Sequence, residues 1–131
     1  MPGVERYEDL EAWQIADELK REVYALTATG PASKDFKVRD QIRDSAASST
    51  KNIAEGFGRF SPGDNARFVE ISVSSTMETK DSLNDGIDRG HFTPARVARA
   101  QGLAERSMQC STKYIVYLKQ RAKTWRRRRS P

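Results

Sequence analysis

The chain has 131 residues, 37% of them hydrophobic and 31% charged, with a formal net charge of +5. That is the length of one domain with a single core, and the polarity suits amphipathic helices that each bury one stripe. A single cysteine, Cys110, excludes an intramolecular disulfide or a cysteine-rich zinc site, and no stretch approaches the roughly 18 apolar residues of a membrane span.

Apolar residues at Leu10, Trp13, Ala16, Leu19, Val23 and Leu26 recur in steps of three and four, which predicts a first helix over about 8–29. Gly30-Pro31 is expected to stop it. A second helix is expected over 34–58, capped by Ser33, with a stripe of Phe36, Ile42, Ala46, Ser49, Ile53 and Phe57. Its middle, Ser45 to Ser49, is made of small residues that allow close approach of a neighbour. Ser61-Pro62-Gly63-Asp64 reads as a capping box with proline at the first helical position. It opens a third helix over 62–89 that carries Phe68, Ile71, Ser75, Met77, Glu78, Leu83 and Ile87. Thr93-Pro94 repeats the start signal for a fourth helix over 94–120, whose stripe is interrupted by Gly102.

Four helices of similar length joined by short turns predict an all-α, antiparallel up-down four-helix bundle over 1–120. Residues 121–131 are expected to form a basic, disordered tail. From Lys119 onward there are seven basic residues and no acidic one, so the remaining body has 16 basic against 18 acidic residues. The positive charge belongs to the C-terminal end.

Three stretches resemble the 23S rRNA-intervening-sequence protein family of four-helix bundles. They are Tyr7-Glu8-Asp9-Leu10-Glu11-Ala12-Trp13, then Gln41-Ile42-Arg43 with Asn52-Ile53-Ala54-Glu55-Gly56-Phe57-Gly58-Arg59, and Ala66-Arg67-Phe68 followed by Ser75 and Glu78. The resemblance covers helices one to three well and helix four poorly. It implies a ring-shaped homopentamer, and similar proteins act as accessory factors of diversity-generating retroelements, in contact with reverse transcriptase and RNA.

Two readings stand for the motif residues Gln41, Asn52, Glu55, Gly56, Gly58, Arg59 and Glu78. One is a buried hydrogen-bonded network that sets helix register, and the other is a polar pocket for a partner. A di-iron site needs two Glu-x-x-His motifs, and the chain has one histidine, His91, and none of these motifs. No serine or cysteine stands at a diagnostic spacing from His91, and Gly56-Phe57-Gly58 follows a helix and not a strand, so no phosphate-cradling loop is expected. Cys110 reads as a small half-buried residue, and Trp13, Tyr24 and Phe68 read as core and not as base-stacking platforms.

Arg121, Lys123, Arg126, Arg127, Arg128 and Arg129 remain as candidate nucleic-acid contacts, because guanidiniums match phosphate oxygens bidentately. Arg43, Lys51 and Arg59 are weaker candidates. The expected function is that of a non-catalytic, cytoplasmic, homo-oligomeric bundle without metal or other cofactor. It would bind RNA or DNA, RNA foremost, through basic surfaces including the C-terminus. The alternative is a ring-shaped scaffold for a protein partner, with no nucleic-acid role.

Overall fold

The computed structural model describes residues 3–129. Among these the protein is all-α, with no strand. A 3-10 turn at Tyr7–Asp9 is followed by α1 (Glu11–Leu26), α2 (Gly30–Lys34), α3 (Phe36–Phe57), α4 (Pro62–Asp88) and α5 (Pro94–Arg129). The four long helices pack around a common interior: α3 against α4, α4 against α5, and α1 against both α5 and α3.

The start signals act largely as expected. The Ser61 hydroxyl accepts from the Asp64 amide at 3.2 Å, and the Thr93 hydroxyl accepts from the Arg96 amide at 3.2 Å. Gly90, with φ +79°, ends the segment after α4, a left-handed conformation that favours glycine.

Two boundaries differ from expectation. Gly30 and Pro31 do not merely end a helix; they open the one-turn α2, after α1 has closed at Thr27. The Thr27 hydroxyl donates to the Val23 carbonyl at 2.7 Å, which finishes α1 three residues early. The cap of α3 is then Asp35 and not Ser33. The Asp35 carboxylate accepts from the Val38 amide at 3.3 Å, whereas the Ser33 hydroxyl donates to the Gly30 carbonyl inside α2.

The larger correction concerns residues 121–131. Through Arg129 they continue α5, giving a helix of 36 residues, about 54 Å long at 1.5 Å per residue. Arginine, lysine, glutamine and alanine are good helix formers, and cations at a helix C-terminus are favoured by its dipole. Trp125 and Ala122 also have surface to lie against, since both line a cleft with the start of α4.

The interior has two apolar clusters. One gathers Leu19, Val23, Ile42, Leu83, Phe92 and Val97, the other Leu10, Ala16, Ile53, Val69, Tyr114 and Leu118. Between them each of three helices contributes hydroxyls: Ser45 and Ser49 from α3, Ser72, Ser75, Thr76 and Thr79 from α4, Ser107 and Ser111 from α5, all buried. Ser45 meets Thr79 at 2.8 Å, Ser48 meets Ser75 at 2.8 Å, and the Ser72 hydroxyl donates to the Ser49 carbonyl at 2.7 Å. The partners descend along α4 as they ascend along α3. A hydroxyl ladder with no bulky side chain lets these two backbones approach closely.

The stripes expected for helices two and three are therefore partly displaced. Phe36 is 64% exposed with the Arg39 guanidinium over its ring, while Ile71 and Met77 face outward. In the middle of α4 the inward positions are the hydroxyl residues Ser72, Ser75, Thr76 and Thr79, with apolar Val69 and Leu83 on either side.

His91, in the turn before α5, places Nε2 2.9 Å from Asp35 Oδ2, so one carboxylate ties that turn to the cap of α3. The His91 hydrogen bond, the Val38 amide and the nearby charges of His91 and Arg89 hold the Asp35 carboxyl below its ordinary value. A lowered folded-state value contributes stability above the unfolded value, about 3.9, and loses it as the pH falls further. Urea unfolding across pH 2.5–7 should accordingly show Asp35→Ala less stable than the parent near neutrality, with the difference closing in acid. A difference that does not change with pH would contradict this role.

Candidate nucleic-acid interface

The positive C-terminal end is a surface on the continuous helix α5. Along α5, Lys119, Lys123 and Arg126 follow in steps of four and three on the face turned to the first two turns of α4. They line a cleft of about 510 Å³ with Ser61, Gly63, Arg67, Glu70 and Trp125. Arg121, Trp125 and Arg128 form the adjacent row and line a smaller hollow of about 210 Å³. A third hollow, about 320 Å³, lies where α3 ends, bounded by Phe57, Arg59, Phe60, Asn65, Tyr117 and Arg121. The three share lining residues, so they form one continuous surface at one end of the molecule.

Some of its cations are already paired. Arg59 meets Glu55 at 2.9 Å, Lys119 meets Glu70 at 3.3 Å, and Arg67 lies 3.8 Å from Asp64. The Arg121 guanidinium lies over the Tyr117 ring at 5.9 Å and donates to its hydroxyl at 3.4 Å. Lys123, Arg127 and Arg128 are exposed, with no carboxylate within ion-pair distance among the described residues. Three cations within two turns of one helix, with no counter-charge in ion-pair distance among the described residues, suit a polyanion. The Arg129 side chain lies outside the described residues.

The surface is supported from beneath. Asn65 Nδ2 donates to the Tyr114 hydroxyl at 3.1 Å, joining α4 to α5 below the third hollow. Burial pushes the Tyr114 hydroxyl up from its ordinary value, partly offset by the Asn65 bond, so it stays neutral. Gly56 makes the close approach of α3 and α4 possible here. A Cβ on it would lie 2.7 Å from Asn65 Oδ1, 2.9 Å from the Asn65 carbonyl oxygen and 2.9 Å from Phe68 Cβ.

The motif residues do not form the buried network expected of them. Gln41, Glu55 and Glu78 are exposed, and Glu55–Arg59 is a surface ion pair along α3. Asn52 donates within its own helix, to the Ser48 carbonyl at 2.8 Å and the Ser48 hydroxyl at 3.0 Å. Gly58 caps α3 at φ −78°, a conformation open to any residue. The register device is the hydroxyl ladder instead, formed by residues too small to stand out in an apolar pattern.

Of the weaker candidates, Arg59 belongs to the surface just described. Arg43 does not: at the other end of α3 it donates to the Thr27 hydroxyl at 2.7 Å and to the Tyr24 carbonyl at 3.3 Å. Lys51 is exposed on α3. Among the aromatic residues, Trp13 packs with the second cluster, edge-on to Tyr7 at 5.4 Å. Tyr24 is not core but lies partly exposed under Arg43, and Phe68 is half-buried under Arg59 at 4.5 Å. Phe60, Arg67 and Tyr117 were missed by the sequence reading. Phe60, a large apolar residue between Arg59 and the helix cap Ser61, was the one legible signal.

No cluster of three or more His, Cys, Asp and Glu among the described residues could hold a metal ion, and no helix is long and apolar enough to cross a membrane. Burial first, then the charge of Glu11, pushes the Cys110 thiol up. It should react slowly with a disulfide reagent at pH 7 and much faster once the protein is unfolded in urea. Equal rates in the two states would contradict that placement.

No curated protein matches the sequence significantly. A family model described as 23S rRNA-intervening sequence protein matches residues 8–113, which takes in α1 to α4 and the first half of α5 and leaves the basic end outside. With most of its length matched, the chain belongs to the 23S rRNA-intervening sequence protein family.

Proposed function

We propose that the protein is a non-catalytic, cytoplasmic, homo-oligomeric four-helix bundle that binds nucleic acid, RNA foremost, through the basic end of α5 and the adjoining start of α4. The observation that carries this reading is the group of Lys123, Arg127 and Arg128, with no carboxylate in ion-pair distance among the described residues, beside a cleft further edged by Lys119, Arg126 and Arg67. The family's association with ribosomal RNA by name supports the choice of RNA. Binding works by neutralising phosphates and releasing counterions, so it is steeply salt-dependent and weakly sequence-selective.

In this reading α1, α3, α4 and α5 alternate in direction as an antiparallel up-down bundle, in keeping with the descending hydroxyl pairs of α3 and α4 and with the Asn65–Tyr114 and Glu70–Lys119 pairs of α4 and α5. The bundle assembles into a pentameric ring. Ile71 and Met77, about half exposed on α4, are surface for another copy to cover. Five basic helix ends on one ring would act together, multiplying a weak contact.

Ultraviolet crosslinking of a structured RNA to the full chain, with the joined peptides identified, tests the interface. Crosslinks are expected within 59–67 and 117–129; crosslinks confined to the outer surface of α3 around Gln41 to Lys51 would contradict it. Light scattering on a sizing column tests the assembly: a mass near five times 14.8 kDa is expected, and a monomer at micromolar concentration would overturn the ring.

A further inference from the structure

Phe60 is 77% exposed, the most exposed large apolar side chain among the described residues. It stands in the turn between α3 and α4, outside both apolar clusters. Its ring meets Trp125 edge-to-face, with centroids 5.9 Å apart and planes at 77°. Trp125 is only half-buried and lines both the cleft and the smaller hollow. Through Trp125 this aromatic pair borders both rows of cations on α5, sharing the cleft with Lys123 and Arg126 and the smaller hollow with Arg121 and Arg128.

Resting on the nucleic-acid reading above, we infer that this end of the molecule takes single-stranded RNA, with an unstacked base laid on Phe60 and Trp125 while the flanking phosphates are held by the two cationic rows. A duplex presents phosphates but no free base face, so the aromatic pair gives it nothing. A single strand presents both, and stacking on an aromatic ring is tolerant of base identity. Cations and rings lining the same hollows match the alternation of phosphate and base along a strand. A membrane surface fits less well, because an interfacial helix needs a broad continuous apolar face and α5 has basic residues on every exposed side here.

The test is a fluorescence-anisotropy titration of the full chain with an unstructured 15-nucleotide RNA and with the same RNA annealed to its complement. The proteins compared are the parent, Phe60→Ala, Phe60→Tyr and Arg127→Gln/Arg128→Gln. Phe60 lies outside both apolar clusters, so its replacement spares the bundle core, and circular dichroism against the parent checks that the basic end of α5, which Phe60 helps to anchor, keeps its helix. Phe60→Ala is expected to weaken single-strand binding by about five- to a hundredfold with no change in the salt slope, and Phe60→Tyr to restore it. Duplex binding should be the same for the parent and Phe60→Ala. Single-strand affinity unchanged in Phe60→Ala, alongside a loss and a shallower salt slope in the arginine variant, would overturn the stacking inference and leave the nucleic-acid reading standing. Absence of binding by the parent to either RNA at low salt would remove both. Tight Phe60-dependent binding to phosphatidylserine vesicles, with RNA binding indifferent to Phe60, would assign the pair to a membrane and overturn the inference.

Discussion

Replacing Gly56 by alanine should destabilise the protein, and replacing Gly102 by alanine should stabilise it, although both glycines lie in helices. Helix propensity alone favours alanine by about 1 kcal/mol at either position. At Gly102, exposed in α5, an added Cβ meets nothing within 4 Å, so that gain is realised in full. At Gly56 the added Cβ lies 2.9 Å from the Asn65 backbone carbonyl and 2.9 Å from Phe68 Cβ. Neither atom can move without shifting α4, and such overpacking costs about 1–3 kcal/mol. It also presses on the Asn65 side chain, whose amide joins α4 to Tyr114 of α5. We expect Gly56→Ala to lower the unfolding free energy by up to about 2 kcal/mol net, and Gly102→Ala to raise it by up to about 1 kcal/mol. Chemical denaturation of the two variants checks both signs at once. A stabilised Gly56→Ala would mean that α3 and α4 do not meet as closely as described.

The same pair shows what can and cannot be seen in the sequence. The caps at Ser61 and Thr93, the stripe of α1 and the all-helical class follow from local chemistry, and all are present. Both glycines read alike as weak points in helices, because what separates them is a neighbour brought up from elsewhere in the chain. The stripe of α4 was misplaced for a related reason. Hydrophobic periodicity finds a buried face only when that face is apolar, and between Val69 and Leu83 the inward positions are Ser72, Ser75, Thr76 and Thr79. Ile71 and Met77 drew attention to the outer side instead.

At the candidate site, the cations of α5 were legible as a charge run and their helical state was not. A short basic segment reads as a solvated tail unless something anchors it. The anchors, Trp125 against Phe60 and Ala122 beside Gly63, are tertiary. The motif residues failed in the opposite direction: Gln41, Glu55 and Glu78 all belong to the stretches that carry the family resemblance, yet each ends on the outside of the molecule. Polar character along a helix does not say whether a face is buried or wet.

Replacing Lys123, Arg127 and Arg128 together by glutamine should lower RNA affinity about a hundredfold at 0.1 M salt. The estimate follows from counterion release: each phosphate neutralised contributes roughly 0.7–0.9 to the slope of log affinity against log salt, so losing three removes about 2–3. These cations have no carboxylate within ion-pair distance among the described residues, so their removal breaks no such pair. Glutamine keeps the helix propensity of α5. Removing Arg59, Arg67 and Lys119 instead should cost less binding, since each is already partly neutralised by Glu55, Asp64 or Glu70.

The most direct measurement is therefore the anisotropy of a labelled structured RNA, titrated with the parent and with the Lys123→Gln/Arg127→Gln/Arg128→Gln variant between about 25 and 300 mM salt. The account predicts steep salt dependence for the parent, a slope shallower by about 2–3 for the variant, and curves that converge at high salt. Equal affinities and equal slopes would contradict it, and the basic end of α5 would then have no part in binding RNA.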